Sequence, residues 1–359
     1  MKTSLGAMAV GWLVVLVMPL AQAQQQPDTT SKDTGLPWAY GFATPATPGA
    51  APVGGGAGRG GGRGGGGAAA AAPAEDMDAM RHVPGSTQAF TIRQIDNNTA
   101  PADWFPGDHP PMPEVVAHGR RPGVNACAFC HYPNGNGRPN NAGLAGLPAN
   151  YILQQLQDFA SGARTSWDKR KRNTTQMIDF ARRLTPEDAA AAAEYFASIK
   201  PVPWIKVVEA DMVPKTINVG GGGGLTLPVE GAEAGMEALG MRIIETPVDV
   251  EQTEPLRNPR SGFVAYVPRG SVQKGQALAT RGGGGKTVAC AACHGEGLKG
   301  TDKFPPLAGR SAGYLARQLY DFQHFTRVGP GSLLMQPVVQ HLNEEDILNI
   351  TAYLASLQP

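Results

Sequence analysis

The 359-residue sequence predicts a mainly α chain, with two small helical domains joined by a long, irregular or partly β linker and preceded by a Gly/Ala-rich tether. Three observations predict this. The stretches "NACAFCHYPN" at Asn125 and "VACAACHGEG" at Val288 are each followed, 20 positions beyond their histidine, by "YILQQLQDF" at Tyr151 or "YLARQLYDF" at Tyr314. That is an internal repeat of one module. Within both copies apolar residues recur every three or four positions, giving a helical stripe with Gln and Asp opposite. Finally, 47 Gly and 31 Pro are too many for two compact domains, so part of the chain is linker.

Residues 1–23 carry an early lysine, an apolar run and an Ala-Gln-Ala end, the pattern of a cleaved export signal that delivers the chain to the periplasm. An uncleaved anchor is the competing reading, but the run is short against the roughly 20 residues of a membrane span. Residues 24–74 form a low-complexity Pro/Gly/Ala-rich tether that includes "GRGGGRGGGG". Its glycine and alanine tract, 50–74, has too few bulky apolar groups to repay the entropy of ordering. Residues 75–114, with Trp104 and Phe105, read as an irregular lead-in.

The first repeat copy then spans 115–201 and the second 272–359. In each, a short helix carries the cysteines, a second carries the Tyr-x-x-x-Gln-Leu-x-Asp-Phe stripe, and a last helix opens at "TPED" (Thr185) or "NEED" (Asn343). Those openings pair an N-cap residue with first-turn acids that complement the helix dipole. Between the copies, 202–271 shows β-branched and aromatic alternation bounded by Gly and Pro, as in "GFVAYVPRGS", which predicts short strands.

Cys-x-x-Cys-His at Cys127, Cys130, His131 and again at Cys290, Cys293, His294 is the pattern for covalent c-type haem attachment. Two thiols one helical turn apart reach two vinyl groups on one porphyrin edge, and the adjacent imidazole lies under the iron. Structural zinc needs four ligands, and no second pair stands at finger spacing. A redox disulfide fits a strand-to-helix turn rather than helical repeats. Met177 and Met335 are methionines that the repeat aligns, both expected in loops, and each is a candidate distal ligand; the competing role is core packing. His82, His109, His118, His324 and His341 have no counterpart in the other copy. "TRGGGGKT" at Thr280 lacks the first glycine of a phosphate loop.

With "LAG" at 144–146 and 307–309 and Met-x6-Leu-[Thr/Asn]-x-Glu-Asp in both copies, the sequence resembles the class I c-type cytochromes, and among them the dihaem c4-like group. That resemblance implies one haem c in each of two helical domains, two in all, with His131 and Met177, and His294 and Met335, on opposite faces of the irons. It further implies a backbone carbonyl accepting the proximal imidazole N–H at Pro305 in the second copy; the first copy departs from the family's residue there with Ala142. The implied role is a periplasmic electron carrier rather than an enzyme, exchanging electrons with a redox-protein donor and acceptor: a membrane oxidoreductase, terminal oxidase or periplasmic dehydrogenase. Two alternatives stay open: a dihaem peroxidase with one open or His-switchable haem, and a dedicated cytochrome subunit of a periplasmic dehydrogenase. The long 202–271 connection departs from the family's short one.

Charge excludes other classes. Net charge is +1, with moderately basic and acidic stretches too mild to argue for nucleic acid. "DKRKR" at Asp168 reads as a solvated loop, and no small-molecule substrate is expected of a carrier.

Overall fold

A computed structural model describes residues 34–43 and 76–359. The export signal and most of the tether lie outside the described residues.

In the first module the helices run Glu114–Ala117, Cys127–His131, Ala149–Ser161, Arg172–Ala181 and Pro186–Ser198. Val116, Ala128, Ile152, Ala193 and Phe196 make its core. The last helix starts at a capping box in which Thr185 accepts from the Asp188 N–H and Asp188 from the Thr185 N–H. The second module repeats this plan with Ser271–Arg281, Ala291–His294, Ala312–Gln323, the 3-10 turns Pro330–Met335, then Gln336–Val339 and Glu344–Ser356. Asn343 and Asp346 form the matching box, and Leu315, Tyr320, Ile347, Ile350 and Leu354 form the core.

The copies differ at their first helix. Ser271–Arg281 is a three-turn helix that crosses Glu344–Ser356 at Gly275, where an added Cβ would stand 1.8 Å from the Asn349 carbonyl oxygen. Only a residue without a side chain lets the two backbones approach that closely. Its counterpart Glu114–Ala117 is a single turn against Pro186–Ser198.

The linker is a packed layer. Its strand Phe263–Val267 pairs in parallel with Ile205–Glu209 and antiparallel with Ile244–Pro247. Phe263, Ala265 and Val267 alternate inward, as period two requires. Ala265 and Val267 bury themselves against Ala312, Leu348 and Ala352 of the second module. Two separate antiparallel pairs accompany it: Met212–Pro214 with Met236–Ala238, and between them in sequence the hairpin Thr216–Val219 with Leu225–Pro228. The lead-in is ordered too: Ile92, Ile95, Trp104 and Phe105 form a small core with linker residue Leu256, whose carbonyl accepts from Trp104 Nε1 at 2.7 Å.

Part of the segment read as tether is also packed. Leu36, Ala39 and Tyr40, around the turn Pro37–Tyr40, are buried in the second module's core, and the Tyr40 hydroxyl donates to Asp321 Oδ1 at 2.7 Å. "LPWAYGF" is a bulky apolar run within that polar stretch, and burying it repays the entropy of ordering it.

The modules touch through a pseudo-symmetric seam. Thr165 N–H donates to Thr326 O at 2.7 Å and Val328 N–H to Ala163 O at 2.8 Å. Arg164 and Arg327 occupy equivalent repeat positions. Arg164 donates to Gln155 Oε1 (2.9 Å) and Gln318 Oε1 (2.8 Å), and Arg327 to Gln318 Oε1 (2.9 Å) and Gln155 Oε1 (2.6 Å). Each guanidinium also stacks on its own module's phenylalanine, Phe159 at 4.4 Å and Phe322 at 4.1 Å.

Candidate haem centres

Helix Cys127–His131 sets its two thiols one turn apart and ends on a buried imidazole. His131 Nδ1 lies 2.8 Å from the Ala142 carbonyl oxygen, and His294 Nδ1 lies 2.7 Å from that of Pro305. A carbonyl only accepts, so Nδ1 carries the proton and Nε2 keeps its lone pair for a metal. The backbone oxygen serves here, so alanine in place of proline at 142 leaves the bond intact. Burial pushes both imidazoles below the usual histidine range, which favours the neutral, ligating form.

Burial also raises the thiols: Cys127, whose Sγ donates to Val115 O at 3.4 Å, to about 12, and Cys290 to about 11. No disulfide forms between them.

Each imidazole faces a cavity. In the second module about 400 Å³ is enclosed by Cys290, Cys293, His294, Tyr314, Leu319 and Met335. In the first about 120 Å³ is enclosed by Cys130, His131, Phe159, Arg164, Lys171 and Met177. Cys127 sits one turn before Cys130 at the core edge. Thus the structure brings each histidine, its cysteine pair and its aligned methionine together. It corrects the local setting of the methionines. Met177 lies in the middle of helix Arg172–Ala181, and Met335 closes the 3-10 turns Pro330–Met335, so neither is in a free loop. Of the unmatched histidines, His324 stacks on Tyr320 with centroids 4.0 Å apart, and His109 is half-buried beside Asp103.

Three arginines that sequence reasoning missed test whether a porphyrin fits. Arg164 lines the first cavity; Arg310 and Arg327 line the second. Their hydrogen-bond partners are neutral: the two glutamine amides, the Tyr314 hydroxyl, and for Arg310 the carbonyls of Gly143 (2.7 Å) and Ala145 (2.9 Å). Burial lowers Arg310 to about 10, and Arg327 Nε is buried with no hydrogen-bond partner among the described residues. Buried guanidiniums beside an apolar cavity call for anions, and a haem carries two carboxylates. A cavity with thiols, an imidazole lone pair, a thioether and unpaired cationic donors fits that group. The signal for Arg164 and Arg327 was present in the repeat, since both lie 13 positions after its tyrosine.

A family model described as Cytochrome c matches residues 116–200 and 272–358. The chain is 27% identical over 241 residues to "Thiosulfate dehydrogenase electron acceptor" of Thiomonas intermedia (strain K12), covering 66% of this chain and 80% of that one. It is 28% identical over 236 residues to "Cytochrome c4" of Pseudomonas aeruginosa, covering 64% and 83%. It is 39% identical over 72 residues to "Cytochrome c-554(548)" of Halomonas halodenitrificans, covering 20% of this chain and 87% of that protein.

Proposed function

Because the chain belongs to the c-type cytochromes, as a dihaem, c4-like electron carrier with two covalently bound haem c groups, we propose that it works in the periplasm through two His/Met-ligated haems. Cys127 and Cys130 hold one group and Cys290 and Cys293 the other, with His131 and His294 proximal and Met177 and Met335 distal. The observation that carries this reading is the recurrence, on one cavity in each module, of a carbonyl-tethered histidine and a methionine.

The bound group supplies one-electron exchange between ferric and ferrous iron. The protein does the rest. Ala142 and Pro305 orient the imidazoles, the apolar walls exclude water, and Arg164, Arg310 and Arg327 would hold the carboxylates. A soft thioether from Met177 or Met335 would favour the ferrous state, so both midpoints would lie above those of a bis-histidine site. With Met177 and Met335 as second ligands, neither centre would offer a seat to peroxide, which argues against the peroxidase alternative. Periplasmic residence rests on the export pattern of residues 1–23; no helix among the described residues is long and apolar enough to cross a membrane.

The thiosulfate dehydrogenase electron acceptor among the relatives favours a periplasmic dehydrogenase as the donor. A reductive titration followed at the haem bands tests the carrier reading. Two electrons per chain and no peroxide turnover in the half-reduced protein support it; turnover of peroxide contradicts it.

A further inference from the structure

The two Cys-x-x-Cys-His helices, though repeats of one another, have opposite surroundings. Over 124–140 no residue is exposed. Linker residue Arg257 donates to the Phe129 carbonyl and lies 4.1 Å over the Phe129 ring. Asn134 donates to the linker's Pro259 O at 3.2 Å, Arg138 pairs with Glu254 at 3.2 Å, and the lead-in's Asn98 carbonyl accepts from Ala126 N–H at 2.8 Å. In the second module the equivalent helix is bare: Ala291, Ala292 and Cys293 are exposed. Val288 and Leu334 border the cavity with Cys293, and the adjoining Leu333, which is not on the cavity wall, is 60% exposed.

We propose that the linker and lead-in shield the first module from redox partners and leave the second as the docking port for a redox protein with an apolar face and an acidic rim. An exposed apolar patch beside the cofactor edge is the kind of surface that partners cover. The charges agree. Lys303 lines the cavity and, among the described residues, no carboxylate does; segment 281–303 carries Arg281, Lys286, Lys299 and Lys303 against Glu296 and Asp302, with Lys286 paired to Asp346. The basic residues of this segment favour an acidic partner at the port. Electrons held in the first module then leave across the Gln155/Gln318 and Arg164/Arg327 seam. The proposal rests on the electron-carrier reading.

The test uses the dihaem holoprotein and plastocyanin, an acidic copper protein with an apolar copper face. Bound to redox-inert cadmium-substituted plastocyanin, the protein is expected to gain hydrogen-exchange protection at 287–294 and 331–336 and none at 124–140. In stopped-flow, each ferrous haem gives one electron to one Cu(II), two coppers per chain. Leu333→Glu, at an exposed site, is expected to slow both electrons about tenfold. Protection over 124–140, no protection at the port, or one of the two electrons leaving at the unaltered rate in L333E would each overturn the proposal. Ferricyanide separates the two readings: a chain that yields it fewer than two electrons contradicts the carrier reading, while the exchange footprint still decides the port.

Discussion

The first module's cysteine helix lies beneath Arg257 and Pro259, whereas the second module's lies open at Cys293, although both come from one repeated sequence. Their helix frames differ as well: a three-turn helix crossing at Gly275 in the second, a single turn in the first. The comparison separates what the repeat encodes, an orienting carbonyl, an imidazole and a thioether on one cavity, from what each copy's neighbours add. The set of donor groups is duplicated; access and scaffolding are not.

The largest expected effect breaks the scaffolding half of the comparison. Gly275→Ala places a methyl 1.8 Å from the Asn349 carbonyl oxygen, so the helix pair must separate. A loss of about 3 kcal/mol, typical of overpacking, is expected in chemical denaturation. Insertion of alanine into the single turn Glu114–Ala117 has no equivalent crossing to break.

Next comes the shield. Arg257→Ala removes a buried guanidinium, its bond to Phe129 O and its stacking on that ring. A loss of about 1–3 kcal/mol follows from those two contacts. Amide exchange should quicken over 127–134 and stay unchanged over 290–297.

Arg327→Gln probes the seam. Removing one cation beside the second cavity favours the ferric state and should lower one midpoint by roughly 30–60 mV, equivalent to about 1 kcal/mol. Arg164→Gln should shift the other midpoint in the same direction. The double variant should depart from additivity, because both arginines share Gln155 and Gln318.

The smallest effect is electrostatic and confined to the first module. Arg120 holds the Asp188 carboxyl below its ordinary range, first by their hydrogen bond. A depressed carboxyl contributes stability above its unfolded value, about 3.9, and loses it as pH falls through the folded one. Arg120 is exposed enough that solvent screening keeps this contribution small. Arg120→Gln should therefore lower the denaturation midpoint slightly at pH 7, and its difference from the parent should vanish as pH falls from about 4 to about 2.

Much of this was legible in the sequence because it is local or repeated. The cysteine, histidine and methionine positions, the Tyr151 and Tyr314 stripes, and the Thr185 and Asn343 caps are set by spacing alone. What was not legible depends on contacts between distant segments. Ile205–Glu209 pairs in parallel with Phe263–Val267 more than fifty residues later, and local alternation cannot name a strand's partner. Arg257 reads as an ordinary loop cation until the fold lays it on Phe129. Leu36 and Tyr40 sit in a stretch whose composition speaks for a tether, and only the second module's core explains their burial. The helical setting of Met177 was missed because its helix, Arg172–Ala181, opens without a side-chain cap.

The central claim, that both centres share one saturated His/Met chemistry despite their unequal surroundings, is tested most directly by the near-infrared Met-to-iron charge-transfer band of the ferric protein. Met177→Ala and Met335→Ala are each expected to remove about half of it, one methionine ligand of two. A band left intact by either substitution would contradict the account.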